Sequence, residues 1–162
     1  MNLIEAQPQK VSDPQLRIAV LASRFNQPVM DGLVQGACDT LTEYGVQNGS
    51  IDLVRVPGAF ELPQAARLLN ASGQYAAIIA LGCVIRGETP HFDYVSDACT
   101  RGLGAVALDA SIPVVFGVLT TDNAEQAFAR SGEGEKNKGR ESTLAALEMM
   151  GVLSALTSRT TD

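Results

Sequence analysis

Four runs of consecutive apolar residues recur along the chain, at LRIAVLAS (16–23), IDLVRVPG (51–58), YAAIIALGCVI (75–85) and IPVVFGVLTT (112–121). Apolar residues that run on without alternating predict strands buried on both faces. Between them the period changes. Val29, Leu33, Ala37 and Leu41 recur at every fourth position after Pro28, which suits a first helical turn, until Gly45 stops the helix. Further helices are predicted over 60–69, closed by an Ala-Ser-Gly turn, and over 92–109, 123–129 and 138–156. Gly102 and Gly104 each weaken the helix over 92–109 by about 1 kcal/mol and permit close packing. The unit of strand, loop and helix occurs four times, which predicts an α/β fold: a parallel sheet covered by helices on both faces, with IPVVFGVLTT as another central strand.

Composition narrows the class. With 162 residues, 46% of them hydrophobic, the chain suits one globular domain over 16–158. Residues 1–15 are polar with two prolines and form a tail unless a partner surface, such as a neighbouring subunit, orders them. The formal charge is −6 and no basic stripe runs along any face, which argues against nucleic acid or an anionic membrane as partner. Four of the 12 basic residues, Arg130, Lys136, Lys138 and Arg140, fall within eleven positions. That cluster reads either as an anion site or as a solvated loop. Cys38, Cys83 and Cys99 are widely spaced and odd in number, and suggest free thiols without a disulfide framework or structural zinc. MNLIEAQPQK lacks the features of a signal peptide and no apolar run approaches 18 residues, so a soluble, cytoplasmic protein is expected.

Ligands of open parallel sheets bind outside the carboxyl ends of the strands. Arg24-Phe25-Asn26, Gly58-Ala59-Phe60-Glu61, Arg86-Gly87-Glu88-Thr89-Pro90-His91 and Thr120-Thr121-Asp122 all fall there. His91 is the chain's only histidine, and a loop imidazole near a ligand can take and return protons at neutral pH. Gly87–Pro90 precede a helix, where unpaired N–H groups hold an oxyanion as readily as they accept a cap. Phe25 either stacks on a flat ligand or packs under the next helix. Glu61 suits a helix start in any case. No nucleotide, metal-protease or hydrolase motif is present, and a Cys83–His91 nucleophilic pair would need the loop to fold back on the strand.

The chain resembles the lumazine synthases (6,7-dimethyl-8-ribityllumazine synthases) of riboflavin biosynthesis at RFN (24–26), VPGAFELP (56–63), GCVIRGETPHFDYV (82–95), PVVFGVLTT (113–121), and a tail from Arg130 through NKGRE (137–141) into LAALEMM (144–150). The likeness spans residues 16–157 in the family's order and spacing. It implies a flavodoxin-like three-layer α/β/α sandwich around a four-stranded parallel sheet. It also implies homo-oligomers, pentamers or shells of twelve pentamers, with active sites between subunits, and an association with riboflavin synthase. The implied enzyme is a cofactor-independent, metal-free transferase. It condenses 5-amino-6-(D-ribitylamino)uracil with 3,4-dihydroxy-2-butanone 4-phosphate.

By the same resemblance Phe25 would stack on the pyrimidine, while Ala59, Phe60 and Glu61 would line the pocket, Glu61 holding ribityl hydroxyls. Backbone groups of Val84 and Ile85 would meet the uracil edge. Gly87, Glu88 and Thr89 would meet the phosphate, with His91 moving protons. Phe116, Arg130 and Lys138 would come from the neighbouring subunit, Arg130 gripping the phosphate and Glu141 partnering the lysine. The sequence departs from the family's usual small residue at Pro90, which removes one amide donor from the phosphate loop. Two rivals stay open on the residues alone: a binding module that holds a flavin or nucleotide on the same rim, and an empty structural shell.

Overall fold

The computed structural model describes residues 1–159. Its strands are β1 (Ile18–Ser23), β2 (Ile51–Val56), β3 (Ala77–Ile85) and β4 (Val114–Thr121); its α-helices are α1 (Gln27–Glu43), α2 (Leu62–Ala71), α3 (His91–Asp109), α4 (Ala124–Phe128) and α5 (Lys138–Ser158). All strand pairs are parallel, in the order β2-β1-β3-β4. Helices α1 and α5 pack on one face and α2 and α3 on the other, which makes the three-layer α/β/α sandwich.

Two cores share the sheet. Ile18, Val20, Ile79 and Leu81 face Val29, Leu33, Leu41 and Leu147; Ala19, Leu21, Ile78 and Ala80 face Leu62, Ala66, Cys99 and Leu103. Alternation of side chains across a strand gives each core every second residue. Burial on both faces is therefore why β1 and β3 read as unbroken apolar runs.

IPVVFGVLTT proves to be an edge strand rather than a central one. β4 pairs only with β3, and Phe116 and Thr120 are exposed on it. Its apolar character comes from helix contact above and below, which says nothing about a neighbour alongside. β2 is the other edge, with Leu53 and Arg55 partly or largely exposed. Two 3₁₀ turns, Asn48–Ser50 and Ala59–Glu61, interrupt segments that the residue pattern leaves as a loop and a helix start. Residues 1–15 contain no helix or strand; the Val11 N–H bonds the Tyr44 carbonyl, and Val11 packs against the core. No described helix is long and apolar enough to cross a membrane.

Candidate functional site

In the order β2-β1-β3-β4 the chain leaves β1 for β2 on one side while β3 lies on the other, so the sheet's topological switch falls between β1 and β3. The last β1–β3 pair is Ala22 with Leu81, yet β3 continues to Ile85. Four residues of β3 thus lie beyond its last pair with β1. Asn26 fills the start of that gap by donating its Nδ2 to the Cys83 carbonyl at 2.9 Å. It does so from a left-handed backbone, φ 62°, that non-glycine residues seldom adopt and that asparagine tolerates best. Beyond it the open edge belongs to Ile85. The Arg86 N–H points to Thr121 on β4, so by alternation the Ile85 backbone faces the gap and that of Val84 does not.

The neighbouring turns are pinned to one another. The Arg24 and Phe25 N–H groups bond the Val56 and Pro57 carbonyls at 2.8 and 3.2 Å, which sets Phe25 beside the turn after β2. There Glu61 Oε2 accepts the Gly58 N–H at 2.8 Å and fixes the start of α2. The result is a cleft of about 740 Å³ lined by Phe25, Ala59, Phe60, Glu61, Val84, Ile85, Gly87, Thr89 and His91, together with Asn26, Cys83, Phe92, Tyr94 and Val95. Phe25 and Phe60 are 71% and 62% exposed, so neither serves the core; Phe25 does not pack under the next helix.

His91 is the first residue of α3 rather than part of a loop. Pro90 stands at the N-cap with φ −65°, already preset for helix, and offers no side-chain cap. The His91 N–H reaches only the Thr89 hydroxyl, at 3.5 Å. The helix mouth therefore keeps donors for an anion. Cys83 shares the cleft with His91, but burial pushes its thiol up to about 11, which keeps it protonated and unreactive at neutral pH.

The remaining implied residues lie elsewhere. Arg130, Lys138 and Glu141 border a second hollow of about 830 Å³ with Thr120, Thr121, Gln126, Glu135 and Lys136. Lys138 Nζ pairs with Glu141 Oε1 at 2.7 Å, and Arg130 donates to the Gln126 carbonyl at 2.9 Å. Glu88 and Phe116 line neither hollow; Phe116 is 39% exposed on the β4 edge.

Asn137 organises this second hollow from inside the protein. Its Nδ2 is shared among the Gly32, Ser131 and Gly132 carbonyls at 2.9–3.1 Å, while Oδ1 accepts the Arg140 N–H and caps α5. The adjacent Gly139 lies so close to α1 that a Cβ would overlap the Leu33 carbonyl. Asparagine before a helix is the sequence signal for the cap; the bond to the Gly32 carbonyl joins residues 105 apart and has no local signature. Tyr94 and Val95 could have been read from their i+3 and i+4 spacing to His91, which places all three on one helix face. Among the described residues no three His, Cys, Asp or Glu side chains gather as metal ligands.

A cleft at the switch point carrying exposed aromatics, an open strand edge and a histidine at a helix mouth is built from three of the five segments that carried the family likeness, RFN, VPGAFELP and GCVIRGETPHFDYV. A family model described as 6,7-dimethyl-8-ribityllumazine synthase matches residues 15–154, most of the chain, and the chain belongs to that family.

Proposed function

We propose that this chain condenses 5-amino-6-(D-ribitylamino)uracil with 3,4-dihydroxy-2-butanone 4-phosphate to give 6,7-dimethyl-8-ribityllumazine, phosphate and water. The observation that carries the reading is the first cleft, where Phe25 and Phe60 stand exposed beside the unpaired Ile85 backbone and the His91 helix mouth. A flat pyrimidine stacks on Phe25 and bonds the Ile85 edge, its ribityl chain running toward Glu61. The phosphate sits at Gly87–Thr89 and the first turn of α3, where unpaired N–H groups meet it.

The aryl amine adds to the ketone and the adduct loses a first water to form an imine, which then eliminates phosphate to leave an enol that tautomerises to a ketone. The second amine then closes the ring with loss of water. Every step moves a proton, and none needs a strong nucleophile from the protein. Alignment of two reactants supplies effective molarities of order 10⁵ M. His91 adds roughly 10²- to 10⁴-fold as general acid and base.

Arg130, Lys138 and Glu141 act in the same reaction from a neighbouring copy. One chain holds the two sets of residues in separate hollows, and rotation about a ring axis sets one surface repeatedly against a different one. The neighbour also orders the segment before Val11, Val11 itself being bonded to Tyr44 of its own chain. Three free thiols suit a reducing cytoplasm. Mixing the two substrates and following the lumazine chromophore tests the proposal. A rate no greater than the uncatalysed background overturns it, and tight flavin binding without turnover would put the binding-module reading in its place.

A further inference from the structure

Arg86 is the first residue beyond β3, and its side chain is outside both hollows. Its guanidinium carbon lies 4.2 Å from the centre of the Phe92 ring. Nη1 donates to the two Asp93 carboxylate oxygens at 3.3 and 3.5 Å, and Nε donates to Asp122 Oδ1 at 3.4 Å. These partners come from two places, the first turn of α3 and the turn after β4. Between Arg86 and α3 run Gly87, Glu88, Thr89 and Pro90, all exposed.

We infer that Arg86 is a positioning residue for His91 and the anion-binding loop, an inference that rests on the function proposed above. The loop has few bonds of its own: the Asp93 and Tyr94 N–H groups reach the Pro90 carbonyl at 3.0 and 3.5 Å, and no side chain caps α3. The guanidinium spans the loop's base and ties the helix mouth to the β4 corner. Arg86 already faces two carboxylates, so it is not the phosphate grip. It acts through Phe92, which lines the cleft, and through Asp93, two residues beyond the imidazole. With Arg86, Asp93 and Asp122 side chains 44%, 60% and 69% exposed, these pairs contribute little to stability. What they fix is geometry. Lysine retains the charge without a planar fork that can stack and bridge at once.

Three full-length variants test this: R86A, R86K and R86A/D93N/D122N. R86A should melt within about 4 °C of the parent, because only exposed ion pairs and one cation–π contact are lost. In ligand-free protein, hydrogen exchange at Asp93 and Tyr94 should quicken about tenfold as the first turn frays. Turnover should fall about ten- to a hundredfold, as expected for a reacting group displaced by an ångström, with the KM for the ribitylaminouracil within about twofold. R86K and the triple variant should stay as slow as R86A. Unchanged exchange in R86A, a large loss of stability, or recovery of turnover in R86K or the triple variant would overturn the inference. If the parent chain has no turnover but exchange quickens in R86A, the tether stands and the reaction assigned to this site falls.

Discussion

Asn26 and Cys83 lie 57 positions apart in the chain, and one bond between them, Nδ2 to carbonyl oxygen at 2.9 Å, ties the turn after β1 to the part of β3 that has outrun its partner. The cleft begins where that bond ends. Without it the two strand ends would be joined only through their last ladder pair, Ala22 with Leu81.

Replacing Asn26 separates its two contributions. Asn26→Ala loses the amide bond, about 1 kcal/mol, and meets the left-handed penalty of roughly 1–2 kcal/mol. Asn26→Gly loses only the bond. Urea unfolding should therefore rank the parent above Asn26→Gly and Asn26→Gly above Asn26→Ala. Equal stability of the two variants would mean that the backbone relaxes out of the left-handed region.

His91→Ala should lower turnover by about 10², the lower end of the range for a general acid and base, and leave assembly intact, because the aligned reactants persist when the proton relay is lost. Single-turnover kinetics at saturating substrates measure this. A loss beyond about 10⁴-fold with normal binding would give the imidazole a larger share of the chemistry.

Phe25→Ala should weaken the ribitylaminouracil about fivefold or more and leave the phosphate substrate nearly unchanged, since a stack worth about 1 kcal/mol is lost while the anion donors remain. Calorimetric titration with each substrate separately distinguishes this from a general loss of packing, which would weaken both.

Mixing His91→Ala and Arg130→Ala chains, unfolded and refolded together, should restore activity if those residues meet across a subunit boundary. Random assortment gives about a quarter of sites two undamaged halves. Those sites should show a near-parental KM for the phosphate substrate. Mixed rings confirmed by native mass spectrometry, with activity no higher than in either variant alone, would require both residues to act within one chain.

Acid should erode stability through two carboxylates. Hydrogen bonds from Arg17 at 2.6 and 2.7 Å, then from the Tyr75 hydroxyl at 2.8 Å, hold Asp52 below its usual range; Arg140 does the same for Glu43. A carboxylate with a depressed folded-state pKa contributes fully above its unfolded value, about 4, and loses that contribution as pH falls through the folded one. The stability difference between the parent and Asp52→Asn should accordingly be constant from pH 7 to about 5 and shrink below about 4. Urea midpoints across that range check it. A difference that persists unchanged at low pH would assign the effect to packing rather than charge.

Local physics made much of this protein legible in its sequence. Strands buried on both faces must be continuously apolar, and helices between them must repeat near every fourth residue, so the parallel α/β sandwich followed from LRIAVLAS, YAAIIALGCVI and the Val29–Leu41 spacing. The rim followed too, because turns after parallel strands share one end of the sheet, and there the structure gathers Phe25, Ala59–Glu61, Gly87, Thr89 and His91 in one cleft. Only the tertiary structure decided which strands lie at the edges, since apolar runs report the layers above and below a strand and not its lateral neighbour; hence β4. It alone paired Asn26 with Cys83, gave Asn137 the Gly32 carbonyl and bridged Arg86 to Asp122, contacts spanning 57, 105 and 36 positions. It alone put Arg130, Lys138 and Glu141 in a hollow apart from His91. Such contacts join residues whose local patterns are independent of one another, and they exist only once the sheet order has brought those segments together.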